Sequence, residues 1–317
     1  MRHYPDAELE GLVSLSEAVA ALSSAFGELG RGRAAVQPRM PTISGEFRLN
    51  TMAAVLPGTG YCGAKVYTAL GNHFSFVFLL FSMADGRILA TFDLAHLTQV
   101  RTAAVSMLAA KYLARHDSAC LTVFGTGAQA AGQVAALCEG LPITTVNVVS
   151  RNDATAFIER MREVTKVVVK QAQAAEAVQT ADVIVTATRA VMPLFDGRLV
   201  REGCFIIAVG SAQADATELD AACIGRCGKI AVEALDHAQH EAGDLIQAEK
   251  AGAFSWGRAI TLSDLVLSKA KGREADSEIT LFKSVGSALE DLAVVEIAYE
   301  KLRESLQKKD CSHARAV

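Results

Sequence analysis

The residues best suited to chemistry form a glycine-rich turn in the middle of the chain, Gly125-Thr-Gly-Ala-Gln-Ala130. The turn directly follows a strand-like run and precedes a run of Ala and Val that is typical of a helix. The first glycine permits a tight turn, the second lets the backbone approach a pyrophosphate, and Ala130 is small enough for the third position. Phosphates would bind at the helix N-terminus, where N–H groups and the dipole favour negative charge. This context predicts a dinucleotide site; the alternative is a structural turn in another kind of α/β protein.

The end of the next strand bears on which dinucleotide is bound. NAD-binding domains usually carry Asp or Glu there, bonded to the ribose 2′-hydroxyl, whereas an arginine accommodates a 2′-phosphate. This chain has Ser150-Arg151-Asn152, so NADP(H) is predicted to be preferred. NAD(H) stays possible because Asp153 follows, and Arg151 could also be an ordinary surface residue.

The elements that must position these residues change character along the chain. After a helix over residues 16–29, for which Ser16 is the expected N-cap, strand-like runs occupy residues 47–56, 63–70, 74–82 and 88–92. Short turns, such as Pro57-Gly58 and Asp85-Gly86, favour antiparallel pairing of these runs. A helix is predicted from about Thr98.

From residue 119 the pattern becomes strand–helix–strand, with strands at 120–124, 145–149, 183–187, 205–209 and 229–232 and a helix at 154–163. This alternation predicts a Rossmann-type, doubly wound parallel sheet. The expected fold class is α/β, with that sheet joined to an α+β domain for substrate binding and dimerisation. A final amphipathic helix, 285–306, is expected to pack on the first domain. The predicted domains are therefore 1–116 completed by 288–317, and 117–287.

Composition narrows the function classes. The chain has 317 residues, 51% of them hydrophobic and 21% charged, which suits two folded domains. Its net charge of −4 lacks the basic character of a nucleic-acid binder. The chain shows neither an apolar run long enough to span a membrane nor a signal peptide, and its seven cysteines are scattered. No nucleic-acid or membrane partner and a cytoplasmic location are therefore expected. No metal is predicted, because the Cys223/Cys227 and His237/His240 spacings are incomplete as zinc sites.

Motifs along nearly the whole chain resemble the ornithine cyclodeaminase/mu-crystallin family. They are residues 97–104 (LTQVRTAA), the turn at 124–129, Ser150-Arg151, residues 181–188 (ADVIVTAT), 241–245 (EAGDL) and 281–286 (LFKSVG) with Glu290-Asp291. The resemblance implies a homodimer in which the Rossmann domain binds NAD(H) or NADP(H). Members include ornithine cyclodeaminases, an alanine dehydrogenase type, cyclic ketimine reductases and thyroid-hormone-binding crystallins.

The resemblance also implies a substrate site formed by three cations, Arg39, Lys65 and Arg101, of which Lys65 is in addition the candidate catalytic residue. The residues themselves are consistent with this, since Lys65 interrupts an apolar strand and Arg101 is expected to begin a helix that attracts anions. Alternatively, each is an exposed or ion-paired cation. The predicted cofactor-binding residues are Gly125, Thr126, Gly127, Ala128, Gln129, Ser150, Arg151, Asn152, Thr186, Ala187, Thr188, Val209 and Ser284.

One departure from the family pattern bears on the reaction. Cyclodeaminases and the related alanine dehydrogenases carry a catalytic aspartate where this chain has Ala212, and Asp215 follows three residues later. Cyclisation of ornithine needs several proton transfers and therefore a positioned base, whereas reducing a ready-made cyclic imine needs fewer. The prediction is an NAD(P)H-dependent reductase of cyclic ketimines. The alternatives are an ornithine cyclodeaminase with Asp215 as base, an alanine dehydrogenase, and a non-catalytic NADPH-binding protein of crystallin type.

Overall fold

The computed structural model describes residues 1–71 and 73–314 of the chain. Its strands are β1 (Arg2–Tyr4), β2 (Ala35–Val36), β3 (Met40–Ser44), β4 (Phe47–Leu56), β5 (Tyr61–Leu70), β6 (His73–Ser82), β7 (Ile88–Asp93), β8 (Cys120–Phe124), β9 (Thr145–Val149), β10 (Val168–Gln171), β11 (Val183–Thr186), β12 (Phe205–Ala208), β13 (Lys229–Val232), β14 (Ala259–Thr261) and β15 (Thr280–Lys283). Its helices are α1 (Asp6–Leu9), α2 (Leu15–Gly30), α3 (Ala95–Leu113), α4 (Ala128–Gly140), α5 (Thr155–Thr165), α6 (Ala174–Thr180), α7 (Ala221–Arg226), α8 (Leu235–Glu241), α9 (Gly243–Lys250), α10 (Leu262–Val266) and α11 (Ala288–Ala314).

The chain divides into two compact units. One unit holds Met1–Arg101 and the segment from Ser287 onward, and the other holds Thr102–Gly286. In the first unit, α11 packs on α2 and on strands β4 and β5. That unit is therefore discontinuous in sequence.

The first unit is built on a largely antiparallel sheet with the order β1-β7-β6-β5-β4-β2, in which β3 also pairs with β4. Side chains alternate between the two faces of a strand, so neighbours in register share a face. Met52 opposes Lys65, which opposes Phe78, and Phe78 opposes Phe92. Lys65 thus lies in a row of buried apolar side chains on the covered face of the sheet.

The second unit is built on an eight-stranded parallel sheet with the order β10-β9-β8-β11-β12-β15-β13-β14. The chain runs outward from β8 to β10 and then crosses to β11 and β12 on the other side. That reversal beside β8 is the switch point of a doubly wound fold. Together with the antiparallel strands of the first unit, it confirms the predicted fold class.

Several element predictions need correction. The N-cap of α2 is Ser14, not Ser16, because Ser14 and Glu17 form a reciprocal capping box. Helix α3 begins at Ala95 rather than near Thr98. The last helix begins at Ala288 rather than Val285; residues 284–287 form a loop, and the strand β15 before that loop was not predicted. In the described part of the chain, no helix is both long and apolar enough to cross a membrane.

Candidate active site and cofactor site

A buried cluster of cations and carboxylates forms in the first unit. The Lys65 Nζ lies 3.1 Å from Asp291 Oδ1 and donates to the Thr98 hydroxyl at 2.9 Å. Arg101 donates from Nε to the same Asp291 oxygen at 3.1 Å and from an Nη to Glu290 at 2.7 Å. Two of the three predicted substrate-binding cations therefore share one carboxylate oxygen.

The acids of this cluster are placed by the start of α11. Glu290 and Asp291 lie in its first turn, where the helix dipole favours negative charge. Both residues are fully buried. Buried carboxylates are stable only when paired, and Lys65 and Arg101 supply the pairing charges.

Burial lowers the pKa of Lys65 to about 8, from an ordinary value of 10.5. The attraction of Asp291 opposes this shift, whereas the positive charges of Arg101 and Arg39 reinforce it. A lysine with this pKa is mostly protonated at neutral pH and can release a proton within the physiological range. Lys65 can therefore carry a positive charge at neutral pH and exchange a proton within the physiological range.

Arg39 belongs to the same region. Its charge acts on Lys65, and its guanidinium carbon lies 6.0 Å from the centre of the Tyr67 ring. Lys65 in turn lies 4.8 Å from the centre of the Phe76 ring, which contacts Tyr67 across neighbouring strands. The structure thus brings the three predicted cations into one electrostatic group. The group holds three cations and two carboxylates, and its excess of cations suits the binding of an anion.

Arg101 does not begin a helix as expected. Helix α3 starts six residues earlier, so the N-terminal dipole of α3 falls away before Arg101. The side chain is positioned instead by its bonds to Glu290 and Asp291. The anion-binding capacity of Arg101 therefore comes from its guanidinium group and not from the helix end.

The glycine turn lies between β8 and α4 in the second unit. Gly125 has φ of +105°, and a Cβ there would lie 2.6 Å from the Ala187 carbonyl oxygen. Gly127 is the N-cap of α4, and a Cβ on Gly127 would meet none of the described residues within 4 Å. The backbone is thus open to a ligand at Gly127 and closely packed at Gly125, as a pyrophosphate-binding turn requires.

Replacing Gly125 by alanine should weaken dinucleotide binding and also destabilise the fold. The left-handed backbone and the close carbonyl together impose strain of about 1–3 kcal/mol, equivalent to about 5- to 150-fold in affinity if the turn shifts. Fluorescence titration with NADPH and thermal melting measure the two effects. Gly127→Ala is the matched comparison: it should lose affinity but melt like the wild type. Equal melting temperatures for both variants would contradict the assigned roles.

The remaining predicted cofactor residues lie at the same edge of the parallel sheet. Each belongs to the turn after β8 or follows the carboxyl end of β9, β11, β12 or β15, and Thr186 is the last residue of β11. The main chain links two of these ends, since the Val209 N–H donates to the Thr186 carbonyl at 2.9 Å. The carboxyl edge beside a switch point is where doubly wound folds bind ligands.

The segment after β9, residues 150–153, contains the side chains that bear on the choice between NAD and NADP. Asp153 accepts from the backbone N–H and the hydroxyl of Thr155, at 3.1 and 2.7 Å, at the start of α5. The Ser150 hydroxyl accepts from the Asn152 N–H. Arg151 is exposed. One oxygen of the one acid of this segment is therefore bonded to Thr155 in the first turn of α5.

Ser284 follows β15 and is held by a buried acid that was not predicted. Glu233 accepts from the Ser284 hydroxyl at 2.5 Å and from the N–H groups of Val285 and Gly286 at 3.2 and 3.1 Å. Glu233 itself follows β13 and is 1% exposed. The loop that begins with Ser284 is thus anchored through three bonds to one carboxylate.

The loop from Gly210 to Leu219 contains Ala212, the position at which the resemblance predicts an aspartate in cyclodeaminases. Ala212 packs against the apolar core of this unit, and Asp215 is exposed. The buried acid of the loop is Glu218, whose oxygens accept from Thr186, Thr188 and Gly210. Neither Ala212 nor Glu218 offers a free base.

Sequence reasoning missed the buried acids and one buried lysine: Glu218, Glu233, Asp244, Lys283, Glu290 and Asp291. Several of them stand within motifs that were noticed only as a resemblance. A usable signal existed, because Glu290-Asp291 interrupts the apolar run of α11 and a charge in such a run must find a partner.

Comparisons with known proteins agree with this architecture. Residues 5–306 match the ornithine cyclodeaminase/mu-crystallin family. A Delta(1)-pyrroline-2-carboxylate reductase of Bacillus cereus is 33% identical over 310 residues, which cover 94% of this chain and 95% of that protein. The solved structure of a probable ornithine cyclodeaminase from Bordetella pertussis Tohama I is 40% identical with a TM-score of 0.94, covering 96% of this chain and 98% of that one. That of Thermococcus litoralis Delta(1)-pyrroline-2-carboxylate reductase, in complex with NADH and L-proline, is 33% identical with a TM-score of 0.92, at the same coverage. The chain therefore belongs to the ornithine cyclodeaminase/mu-crystallin family.

Proposed function

We propose that the protein is an NAD(P)H-dependent reductase of cyclic ketimines, forming L-proline from Δ1-pyrroline-2-carboxylate, L-pipecolate from Δ1-piperideine-2-carboxylate, or both. The observation that carries this proposal is the loop from Gly210 to Leu219. Ala212 stands where the resemblance places the family's catalytic aspartate, Asp215 is exposed, and Glu218 accepts four hydrogen bonds. The proton transfers of cyclodeamination lack a base in this loop, whereas imine reduction does not require one.

The general class of reaction is supported by the family match and by the named relatives. The chain is an oxidoreductase acting on C=N bonds, and its cofactor is a nicotinamide dinucleotide. When bound, that cofactor supplies the hydride that adds to the imine carbon. A proton adds to the ring nitrogen, so imine, hydride and proton together give the cyclic amino acid.

The residues of the first unit bind and orient the substrate in this proposal. Arg101 and Arg39 hold its carboxylate, for which guanidinium groups offer parallel hydrogen bonds. Lys65 contributes a third charge, and its pKa of about 8 suits it to polarise the imine or to supply the proton. We propose the same division for the domains, with 1–116 and 288–317 binding substrate and 117–287 binding the dinucleotide.

The proposal is tested by mixing purified protein with NADPH and Δ1-pyrroline-2-carboxylate and following nicotinamide absorbance and proline. Parallel reactions contain ornithine with NAD and pyruvate with ammonia and NADPH. Rapid NADPH oxidation with proline formed only from the cyclic imine is expected. Ammonia released from ornithine would show that a base is present after all, and turnover of pyruvate would indicate an alanine dehydrogenase. Cofactor binding without any turnover would indicate a crystallin-like binding protein.

We further propose a preference for NADP(H). It is supported by the exposed Arg151 and by the bonds that one oxygen of Asp153 accepts from Thr155. Arg151→Ala should raise the KM for NADPH about 10- to 100-fold, because it removes a charge-assisted bond to the 2′-phosphate. The KM for NADH, which lacks this phosphate, should stay unchanged. Steady-state kinetics with both cofactors give the result. Arg160→Ala, at an exposed arginine of α5, is the control. Equal effects of Arg151→Ala on NADPH and NADH would contradict the preference.

A homodimer is the proposed assembly. Large apolar side chains are 43–55% exposed at one end of the sheet of the first unit: Met40, Ile43, Phe47, Leu70 and Phe74. Apolar groups concentrated in this way are typical of a contact surface. Light scattering should give twice the chain mass of 33.5 kDa, and Phe74→Glu should shift the protein towards monomer. A wild-type protein of monomer mass would refute the dimer.

A further inference from the structure

A second buried charged network, built from Glu218, Asp244 and Lys283, lies at the carboxyl edge of the parallel sheet. The Lys283 Nζ lies 2.8 Å from Asp244 Oδ2 and donates to the Ser211 carbonyl at 2.7 Å. The other Asp244 oxygen accepts from the backbone N–H groups of Glu218 and Leu219, at 2.7 and 2.9 Å. All three charged residues are at most 1% exposed.

Glu218 is the centre of this network. One of its oxygens accepts from the N–H and the hydroxyl of Thr188, at 2.8 and 2.7 Å. The other accepts from the Thr186 hydroxyl at 2.8 Å and the Gly210 N–H at 2.9 Å. The carboxylate thereby joins the ends of β11 and β12. Four converging donors, two of them backbone N–H groups, are matched by an ionised carboxylate, which has acceptor positions only.

The charges of the network do not cancel. Two carboxylates and one ammonium group leave one negative charge among these three side chains. Burial holds the pKa of Glu218 above its ordinary value even though Lys283 and the bonds from Thr188 and Thr186 lower it, so the four donors are what favour the ionised form. Desolvating a net charge is costly, so a network kept only for stability would more simply be neutral or apolar.

The position of the network relates it to one half of the cofactor. In a doubly wound domain the pyrophosphate lies at the turn after the first strand, here β8, and the adenosine ribose at the end of the second, here β9. The nicotinamide half then falls on the other side of the switch point, toward the ends of β11 and β12. Those are the ends that Glu218 joins.

We propose that Glu218 is a positioning residue for hydride transfer, which holds the ends of β11 and β12 and places a net negative charge beside the nicotinamide half of the site. The nicotinamide ring becomes positively charged when it gives up its hydride. A fixed negative charge nearby stabilises that oxidised form and so favours reduction of the imine. The inference rests on the proposed function only through the nicotinamide cofactor and not through the identity of the substrate.

The test compares the affinities of the oxidised and the reduced cofactor. Glu218→Gln removes the charge and keeps the shape, and it should raise the ratio Kd(NADP⁺)/Kd(NADPH) by about 10-fold, as expected for a unit charge about 10 Å away at an effective dielectric constant of about 20. NADPH is titrated by fluorescence and NADP⁺ by competition. No imine is present, so a wrong substrate class would leave this result intact.

Asp182→Asn is the matched control. Asp182 is also a buried carboxylate that accepts from two backbone N–H groups, of Ala119 and Cys120, but it lies at the opposite edge of the sheet. It should lower the melting temperature and leave the ratio unchanged. If Glu218→Gln does not fold, Lys283→Met provides the opposite test and should lower the ratio. A ratio within 2-fold of wild type in a folded Glu218→Gln or Lys283→Met protein, or an equal shift in Asp182→Asn, would overturn the inference.

Discussion

Replacing Lys65 by methionine should lower kcat/KM for the cyclic imine by about 1,000-fold, or about 4 kcal/mol of transition-state stabilisation. The ammonium group supplies both a charge for the substrate carboxylate and a candidate proton, and charge-assisted bonds contribute about 1.5–3 kcal/mol each. Methionine keeps the length of the side chain but removes one charged partner of the buried Asp291, so the melting temperature should fall and activity is measured well below it. Lys111→Met, at an exposed lysine of α3, is the control and should retain full activity. A 10-fold loss or less would remove Lys65 from the reaction.

The pH dependence of activity reports on the same residue. Because the pKa of Lys65 is lowered to about 8, the side chain is charged below that value and neutral above it. The logarithm of kcat/KM should therefore fall with a slope of −1 above about pH 8, and Lys65→Met should lack this fall. A wild-type profile that stays level to pH 9.5 would show that the ammonium charge is not required.

Stability depends on pH in the opposite sense. Between about pH 8 and 10.5 the unfolded chain holds a proton on Lys65 that the folded chain has lost. The unfolded state then binds more protons, so the free energy of unfolding contributed by Lys65 rises as pH increases across this window. Urea unfolding at pH 8 and 10 should show this rise in the wild type and a smaller one in Lys65→Met.

Strands with strong local signals were predictable. The bounds of β4, β8, β9 and β13 agree with the predictions, because apolar or alternating runs with clear turn residues define them. Strand β15 was not predicted. It pairs with β12 and β13, which are distant in sequence, and no local pattern in four residues reveals that pairing. The short edge strands, such as β1 and β10, were missed for the same reason.

In the candidate site, too, the features defined by local sequence could be predicted and the contacts between distant residues could not. The glycine turn and Ser150–Asn152 could be found because their chemistry follows directly from local sequence after a strand. The partners of the cations could not, since Lys65 and Arg101 meet Asp291 across about 190 to 226 positions of the chain. The capping box of Ser14 is a local feature that was nevertheless missed. Its Ser-x-x-Glu spacing identifies Ser14 as the N-cap, but Ser16 was predicted instead.

Replacing Arg101 by leucine should lower the free energy of unfolding by about 3–5 kcal/mol, the cost of removing one partner from a buried ion pair. Glu290 and Asp291 are fully buried in the first turn of α11, and Arg101 donates to both. Without it, Glu290 would lose a charged partner, and Asp291 would keep Lys65 but lose its second cation. Urea unfolding measures the loss, and kcat/KM should fall as well because a substrate-binding cation is gone.

Two companion variants separate this mechanism from simple loss of packing. Arg198→Leu removes an arginine whose side chain is 79% exposed beside Asp196, and it should cost at most about 1 kcal/mol. Arg101→Leu combined with Glu290→Leu also removes the carboxylate with which Arg101 was paired. The double variant should recover at least about half of the lost stability, while activity stays low. If the double variant is no more stable than Arg101→Leu, the loss comes from packing and not from an uncompensated charge. Recovery of stability without activity would instead separate the two roles of Arg101, which neutralises the acids of α11 in the fold and binds the substrate carboxylate in the reaction.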